Sequence, residues 1–243
     1  MTIKLGLIND VQVRFLCPTD LDEVKRLCRE WFPIEYPDVW YDEITSSSRF
    51  FSLAATLNKS IIGLLVAEVK TKSLCNKEDS GILSFTFNDD TLVAYILSIG
   101  VVKVYRRHGI GSLLLDSLLS YLTTPERQNC KAVYLHVLTT NSAAVQFYER
   151  KHFSQFRYLP LYYAINGTHK DGFSYVLYIN GGEPPWTLAY PFKTPAVHVL
   201  FGLGSRKGGR IFLVLLENGR KALARHFSSN LYLFLVYCRY SLG

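Results

Sequence analysis

The stretch VYRRHGIGSLLLDSLL, residues 104–119, decides how this chain is read. Two arginines and a histidine run into Gly109-Ile110-Gly111. Ile110, Leu113, Leu114, Ser117, Leu118 and Tyr121 then recur at helical spacing. Glycines let the backbone approach a ligand with no Cβ in the way. A helix start exposes unpaired N–H groups and the positive end of the helix dipole. The stretch therefore reads as an anion site that opens a helix, with Arg106, Arg107 and His108 as further donors. A Walker loop is excluded, because its Lys-Ser/Thr ending is missing. A dinucleotide fingerprint is excluded too: Leu114 stands at its third glycine and Lys131 where its acid belongs. A tight strand-to-helix turn with a surface basic cluster would use the same residues.

Working outward, LVAYILSIGVV (92–102) is a continuous apolar run and reads as a central strand. KAVYLHVL (131–138) reads as another buried strand, and NSAAVQFYERKHF (141–153) as a helix capped by Asn141. Upstream, VQVRFL (11–16) alternates as a first strand. Pro18-Thr19-Asp20 opens a helix with Leu21, Val24, Leu27, Cys28 and Trp31 on one face, and Pro33 ends it. WFPIEYPDVWYDEI (31–44) reads as a bent loop and a short helix. FFSLAAT and IIGLLVAEVK form a hairpin around Asn58-Lys59-Ser60. Residues 71–90 are polar and aperiodic, a long loop or a partly mobile excursion. FSQFRYLP and FSYVLYI make a closing strand pair, and the insert between them has turn signals at Asn166-Gly167 and Asp171-Gly172. The order β-α-α-β-β-β-α-β-α-β-β predicts an α/β fold, a mixed sheet with helices on its faces.

Composition narrows the class. The chain is 49% hydrophobic and 19% charged, so a buried core is expected. Five scattered cysteines without a CxxC pair argue against a disulfide framework and a zinc site, and favour a reducing compartment. No secretory signal is read at the N-terminus, and no run of about 18 apolar residues predicts a membrane-spanning helix. The net charge of +7 is local: residues 191–243 hold eight basic residues and one acid, Glu217, and the remainder is neutral. This predicts two units with different jobs, a neutral domain over 1–182 and a basic, apolar tail over 183–243. The neutral body lacks the aromatic–basic interleaving of an RNA-binding surface, so no nucleic-acid partner is expected.

Arg106-Arg107-His108-Gly109-Ile110-Gly111 fits without a gap the R/Q-x-x-G-x-G/A loop of the GCN5-related (GNAT) acetyltransferases, which the chain resembles over roughly residues 11–180. Asn141 and Tyr148 fall in a second pattern of that family, N-x-x-A-x-x-F-Y-E-x-x-x-F. The resemblance implies the GNAT (acyl-CoA N-acyltransferase) fold, with acetyl-CoA as co-substrate and no metal. Its implied cofactor contacts are Leu97, Ile99, Gly100 and Val101 on the strand, Arg106, Arg107, His108, Gly109, Ile110, Gly111 and Ser112 in the loop, and Asn141 and Tyr148 beyond.

Acetyl transfer to an amine needs a group to take the amine's proton, donors for the carbonyl oxygen, and stabilisation of the departing thiolate. Tyr95 and His136 lie on the strands before the loop and after its helix. If those strands are neighbours that splay apart, the pair can share one slot and move a proton through an ordered water. A core histidine and a packing tyrosine are the plain alternatives. No well-placed cysteine nucleophile is present, which favours direct transfer in a ternary complex.

Within the family, WFPIEYPDVWY (31–41), YLHVLTTNSAAVQFYE (134–149) and YLPLYYAINGTHKDGFSYVLYINGGEPPW (158–186) resemble the N-terminal acetyltransferases of the NatF type. That implies action on protein N-termini that keep the initiator Met, followed by a hydrophobic residue or Lys, many of them on membrane proteins with cytosolic N-termini. It implies Tyr95 and His136 as the catalytic pair, and Phe32, Glu35, Tyr36, Leu97 and Tyr163 around the peptide. The 160–172 hairpin is a candidate homodimer surface. The type also implies peripheral attachment to the cytosolic face of the Golgi membrane. In RIFLVLLENGRKALARHF (210–227), Phe212, Leu215, Leu216, Gly219, Leu223 and Phe227 fall on one helical face, giving a basic amphipathic helix for a membrane interface. Packing of the tail on the domain or a partner is the alternative. The rival functions are a lysine or histone acetyltransferase, and a catalytically silent acyl-CoA-binding membrane module.

Overall fold

The computed structural model describes residues 8–34 and 36–185, and the backbone of three short strands further on. The chain divides into two units, Met1–Pro185 and Trp186–Gly243. The first unit runs β1 (Gln12–Phe15), α1 (Leu21–Trp31), α2 (Asp38–Ser46), β2 (Phe50–Leu57), β3 (Ser60–Thr71), β4 (Leu92–Val101), α3 (Ile110–Leu122), β5 (Cys130–Leu138), α4 (Ser142–Arg150), β6 (Ser154–Ile165) and β7 (Thr168–Tyr178). This is the element order read from the sequence. The strands form one sheet in the order β1-β2-β3-β4-β5-β7-β6. Only β4 and β5 pair in parallel, because α3 carries the chain back across the sheet between them.

Local chemistry explains the turns. Asn58 and Lys59 both take positive φ, 50° and 68°, between β2 and β3. Two such residues make the tight turn whose twist matches a hairpin. Asn166 and Gly167 do the same between β6 and β7, at φ 48° and 72°. On one face of the sheet, Leu114, Leu115, Leu118 and Leu122 of α3 pack with Ile62, Leu65, Val133 and Leu135. Leu113, Ser117 and Tyr121 are only partly buried, so α3 lies rotated from the expected stripe, with Leu115 and Leu122 turned to the sheet. On the other face Val24, Leu27 and Cys28 of α1 cover Ala54, Leu64 and Val66.

An irregularity in β4 opens the sheet. Val66 pairs with Ser98 and Ala67 with Ile96, so Leu97 is an extra residue. A bulge of this kind shifts the alternation of side chains. Ala94 and Ile96, and then Ile99 and Val101, pack in the α3 cluster, whereas Leu97 packs with α1 and α2. The ladder to β5 ends at Ile96–Leu135. Leu97–Val101 and His136–Leu138 therefore run on without pairing to each other, leaving a gap between neighbouring strands.

Residues 71–90 form a packed connection. They make two 3-10 turns, Lys72–Leu74 and Lys77–Asp79, and then bury Ile82 and Leu83 against Val93, Tyr134 and Val176. Each such burial is worth about 1.5–3 kcal/mol, which offsets the entropy of ordering the segment. The Ser84 amide donates to Glu183 O, and Tyr178 Oη donates to Ile82 O. The insert at 161–172 is also more regular than expected: β6 and β7 run through it, and Asp171-Gly172 is strand.

In the second unit β8 (Val197–Phe201), β9 (Leu213–Glu217) and β10 (Arg220–Ala222) form an antiparallel sheet in the order β10-β9-β8. The helix expected over 210–227 is therefore not formed at 213–217 and 220–222. The apolar run is short, and the Asn218-Gly219 dipeptide that follows it is a strong hairpin signal, which favours a strand pair. The rest of that helix expectation lies outside the described residues.

A Cβ on Gly100 would strike the Trp31 ring and come within 3.2 Å of Phe32 Cζ. Gly100→Ala is expected to cost about 1–3 kcal/mol by overpacking, read as a lower urea midpoint. An unchanged midpoint would show that Trp31 yields freely.

Candidate active site

The site grows from the gap between β4 and β5. Tyr95 and Tyr134 are Cα partners across the parallel pair, and their rings stack at 4.9 Å. His136 stands two residues beyond Tyr134, on the same face. Its ring lies 5.3 Å from that of Tyr95, and Tyr95 Oη is 3.1 Å from His136 Nδ1. The two expected residues are thus brought together, and the histidine is no free-standing core residue.

What fixes the histidine comes from the segment that sequence reading could not interpret. Asp79, fully buried at the end of a 3-10 turn, accepts from His136 Nε2 at 2.8 Å. Ser174, opposite His136 on β7, donates to the same carboxylate oxygen at 3.2 Å. A carboxylate only accepts, so the hydrogen sits on Nε2 and the lone pair on Nδ1, facing Tyr95. When Nδ1 takes a proton, the Asp79 charge offsets the imidazolium. Among the described residues the other oxygen of Asp79, Oδ2, has no hydrogen-bond partner.

A third group reaches the histidine. Tyr162 Oη lies 2.7 Å from His136 Nδ1, closer than Tyr95. Burial pushes the Tyr95 phenol well above its ordinary pKa, and the neighbouring Tyr162, Tyr163, Asp79 and Tyr36 push the same way. Tyr95 therefore keeps its hydrogen and serves as a donor. The Lys70 ammonium sits 5.2 Å over its ring.

Aromatic walls flank this cluster. Phe32 meets Tyr36 edge-on at 6.2 Å, and Tyr36 stacks on Trp40 at 4.1 Å. Burial raises the Tyr36 phenol to about 12. From the hairpin, Tyr163 meets Tyr162 at 5.0 Å. Burial, then Tyr162, then Tyr36 raise its pKa, so the two walls lie within electrostatic reach of each other. Leu97, Phe32 and Tyr36 all pack against the same core cluster under α1 and α2. Glu35 lies outside the described residues.

The loop at the start of α3 has the anion-site shape. Arg107 and Gly109 take positive φ, 65° and 87°. Leu113 N donates to Gly109 O, so the amides of Ile110, Gly111 and Ser112 precede the helix ladder and lack partners within it. A Cβ on Gly111 would meet nothing of the chain closer than 3.7 Å, so packing does not demand glycine there. What the glycine keeps clear is the approach to those amides. Arg106 Nε donates to Val101 O and His108 Nδ1 to Arg106 O, both at 2.9 Å, so these side chains brace the loop. Asn141 Oδ1 caps α4 by accepting from Ala144 N. Tyr148 is core, ringed by Phe147 and Phe153. Among the described residues no three His, Cys, Asp or Glu side chains cluster as metal ligands.

Sequence reading missed Asp79, Ser174 and Tyr162. Asp79 sits among other polar residues in a segment without period. The adjacent Tyr162-Tyr163 pair carried a signal, since two aromatics in one hairpin strand need different surroundings, but nothing in it selected Tyr162. Asp79→Asn puts an amide against Nε2 and unsettles the tautomer, and His136→Ala removes the base. Each is expected to cut acetyl transfer by about 10²–10⁴-fold with acetyl-CoA affinity retained, measured by steady-state kinetics and calorimetry. Full turnover in Asp79→Asn would refute the tautomer argument.

Comparison with known proteins agrees with this geometry. The Acetyltransferase (GNAT) family profile matches residues 21–153. N-alpha-acetyltransferase 60 of Danio rerio is 59% identical over 181 residues, covering 74% of this chain and 75% of the relative. The Drosophila melanogaster protein of the same name is 53% identical over 207 residues, covering 76% and 75%. The crystal structure of Arabidopsis thaliana NAA60 with a bisubstrate analogue superposes with a TM-score of 0.65 at 29% identity, over 70% of this chain and 99% of that one. The same protein in complex with acetyl-CoA gives 0.64. A mixed sheet opened between β4 and β5, a glycine loop at the start of α3 and these relatives lead to one assignment: the chain belongs to the GNAT acetyltransferase family, within its N-alpha-acetyltransferase group.

Proposed function

We propose that this enzyme acetylates protein N-termini that retain the initiator Met, with a hydrophobic residue or Lys in second place, and that membrane proteins with cytosolic N-termini are prominent among its substrates. The observation that carries the reading is the pairing of His136 with Asp79 and Tyr95, together with the ring pairs Phe32–Tyr36 and Tyr162–Tyr163, which would wall a slot above it. Acetyl-CoA is the acetyl donor. Its pyrophosphate suits the free amides of Ile110, Gly111 and Ser112, beside Arg107. Its thioester arm suits the unpaired stretch Leu97–Val101, where strand N–H groups have no partner on β5. The N-terminal nitrogen attacks the thioester carbon, the C–S bond breaks, and His136 takes the amine's proton. Aromatic walls favour an apolar first side chain such as Met. A slot closed on both sides admits a chain end more readily than a lysine in mid-chain.

Attachment to the cytosolic face of the Golgi membrane, as a peripheral protein, completes the proposal. It is supported by the eight basic residues and the apolar blocks AVHVLFGL, IFLVLL and NLYLFLVYC beyond residue 190, a composition suited to anionic headgroups. Among the described residues no helix is long and apolar enough to cross a membrane. A homodimer through the 160–172 hairpin is supported by β6 lying at the sheet edge with Leu161 exposed.

The substrate reading is tested with acetyl-CoA and two peptides, one beginning Met-Leu and one N-terminally blocked with an internal lysine. Acetylation of the first is expected. Modification of the blocked peptide alone would favour a lysine acetyltransferase, and CoA binding without transfer a silent module. For the tail, the full chain should sediment with anionic vesicles and a chain ending at residue 190 should not. Equal sedimentation would remove the anchor.

A further inference from the structure

Two phenols converge on one lone pair. With Nε2–H committed to Asp79, His136 offers a single acceptor at Nδ1, and Tyr162 Oη at 2.7 Å takes it ahead of Tyr95 at 3.1 Å. The His136 side chain is only 2% exposed, so an incoming amine needs an intermediary to reach it. Tyr95 stacks on the Tyr134 ring, and the Lys70 ammonium lies 5.2 Å from the one ring centre and 5.9 Å from the other. Tyr162 comes from the hairpin beside the aromatic slot.

The backbone is built to put Tyr162 there. Leu159 pairs with Gly172 and Tyr163 with Lys170, so Pro160, Leu161 and Tyr162 stand opposite Asp171 alone. Leu161 is forced to φ 54°, a costly conformation for a residue with a Cβ. Asp171 clamps the bulge: one carboxylate oxygen accepts from Leu161 N at 2.8 Å and the other from Tyr158 Oη at 2.6 Å. An undistorted strand would continue its alternation through these positions. The distortion turns Tyr162 onto His136, and backbone strain of this kind gathers at working sites.

We propose that Tyr162 is the proton carrier between the substrate amine and His136, a role otherwise given to a water molecule beside Tyr95. This rests on the N-terminal acetyltransferase reading above. As the amine nitrogen bonds to the thioester carbon, its proton passes to Tyr162 Oη while the Tyr162 hydroxyl proton passes to His136 Nδ1. The C–S bond breaks and the thiolate leaves with the electron pair. The imidazolium, balanced by Asp79, then returns the proton to the thiolate through Tyr95, so no proton is gained or lost overall. Burial raises the Tyr162 phenol well above its ordinary value, with Glu78 and Asp79 acting the same way and a hydrogen bond with Tyr95 acting against them. A phenolate is disfavoured there, which suits a hydroxyl that hands on its hydrogen as another arrives.

Tyr162→Phe keeps the ring and removes only the hydroxyl. It is expected to lower kcat by about 10²-fold or more, with the KM for a Met-Leu peptide and the Kd for acetyl-CoA within about twofold of the unaltered enzyme. Asp171→Ala, which frees the bulge without touching the cluster, should show a smaller loss in kcat. A raised peptide KM at unchanged kcat would make Tyr162 a peptide contact and overturn the proposal, as would unaltered kinetics in Tyr162→Phe. The unaltered enzyme, run alongside on both peptides, separates this from failure of the substrate reading: that reading falls only if the enzyme itself does not acetylate the free N-terminus.

Discussion

The bond between the Asp79 carboxylate and His136 Nε2 is the constraint on which the site depends. Asp79 is wholly enclosed, and its charge is stabilised by His136 and Ser174. That demand fixes which nitrogen of the histidine is bare. It also explains why an aperiodic segment between β3 and β4 is packed as firmly as a strand. Ile82 and Leu83 bury themselves on the sheet face that carries Tyr95, Tyr134 and His136, and in doing so seat Asp79 beside the base. The apolar burial supplies the free energy, and the carboxylate makes use of it.

The second determinant is the extra residue at Leu97. A regular β4 would continue its pairing with β5 and close the sheet. With the bulge, Ile99 and Val101 return to the α3 side, Gly100 turns toward Trp31 and Phe32, and the last residues of both strands are left apart. One backbone irregularity thus creates the gap, presents strand amides to it, and brings α1 and its following loop against it. The β6 bulge at Pro160–Tyr162 acts from the other side, bringing a phenol in where a regular hairpin would carry it past. Both are departures from ideal strand geometry held by their surroundings, and both lie next to the chemistry.

The chain's own pattern carried much of this. The glycine loop, the apolar strand before it and the amphipathic helix after it were legible because each rests on local spacing. Asn141 was legible as a cap for the same reason, and its carbonyl does accept from Ala144 N. Tyr95 and His136 could be paired because strands joined by a crossover helix often lie side by side. The tail is less legible: its apolar residues satisfy a helical wheel, while the backbone described at 213–217 and 220–222 is extended, and a short run fits both periods.

The sequence by itself determined the order of elements, the anion loop and the family, because these depend on residues close together in the chain. The tertiary structure alone decided that Asp79, Ser174 and Tyr162 meet at His136, which lies 57 residues from Asp79 and 26 from Tyr162. No local spacing encodes that meeting. It follows from a bulge that shifts register, a hairpin bent at Leu161, and a polar segment drawn onto the sheet by two buried side chains. Each is settled by packing across the fold, where a contact depends on which surfaces are left to cover and not on neighbours along the chain.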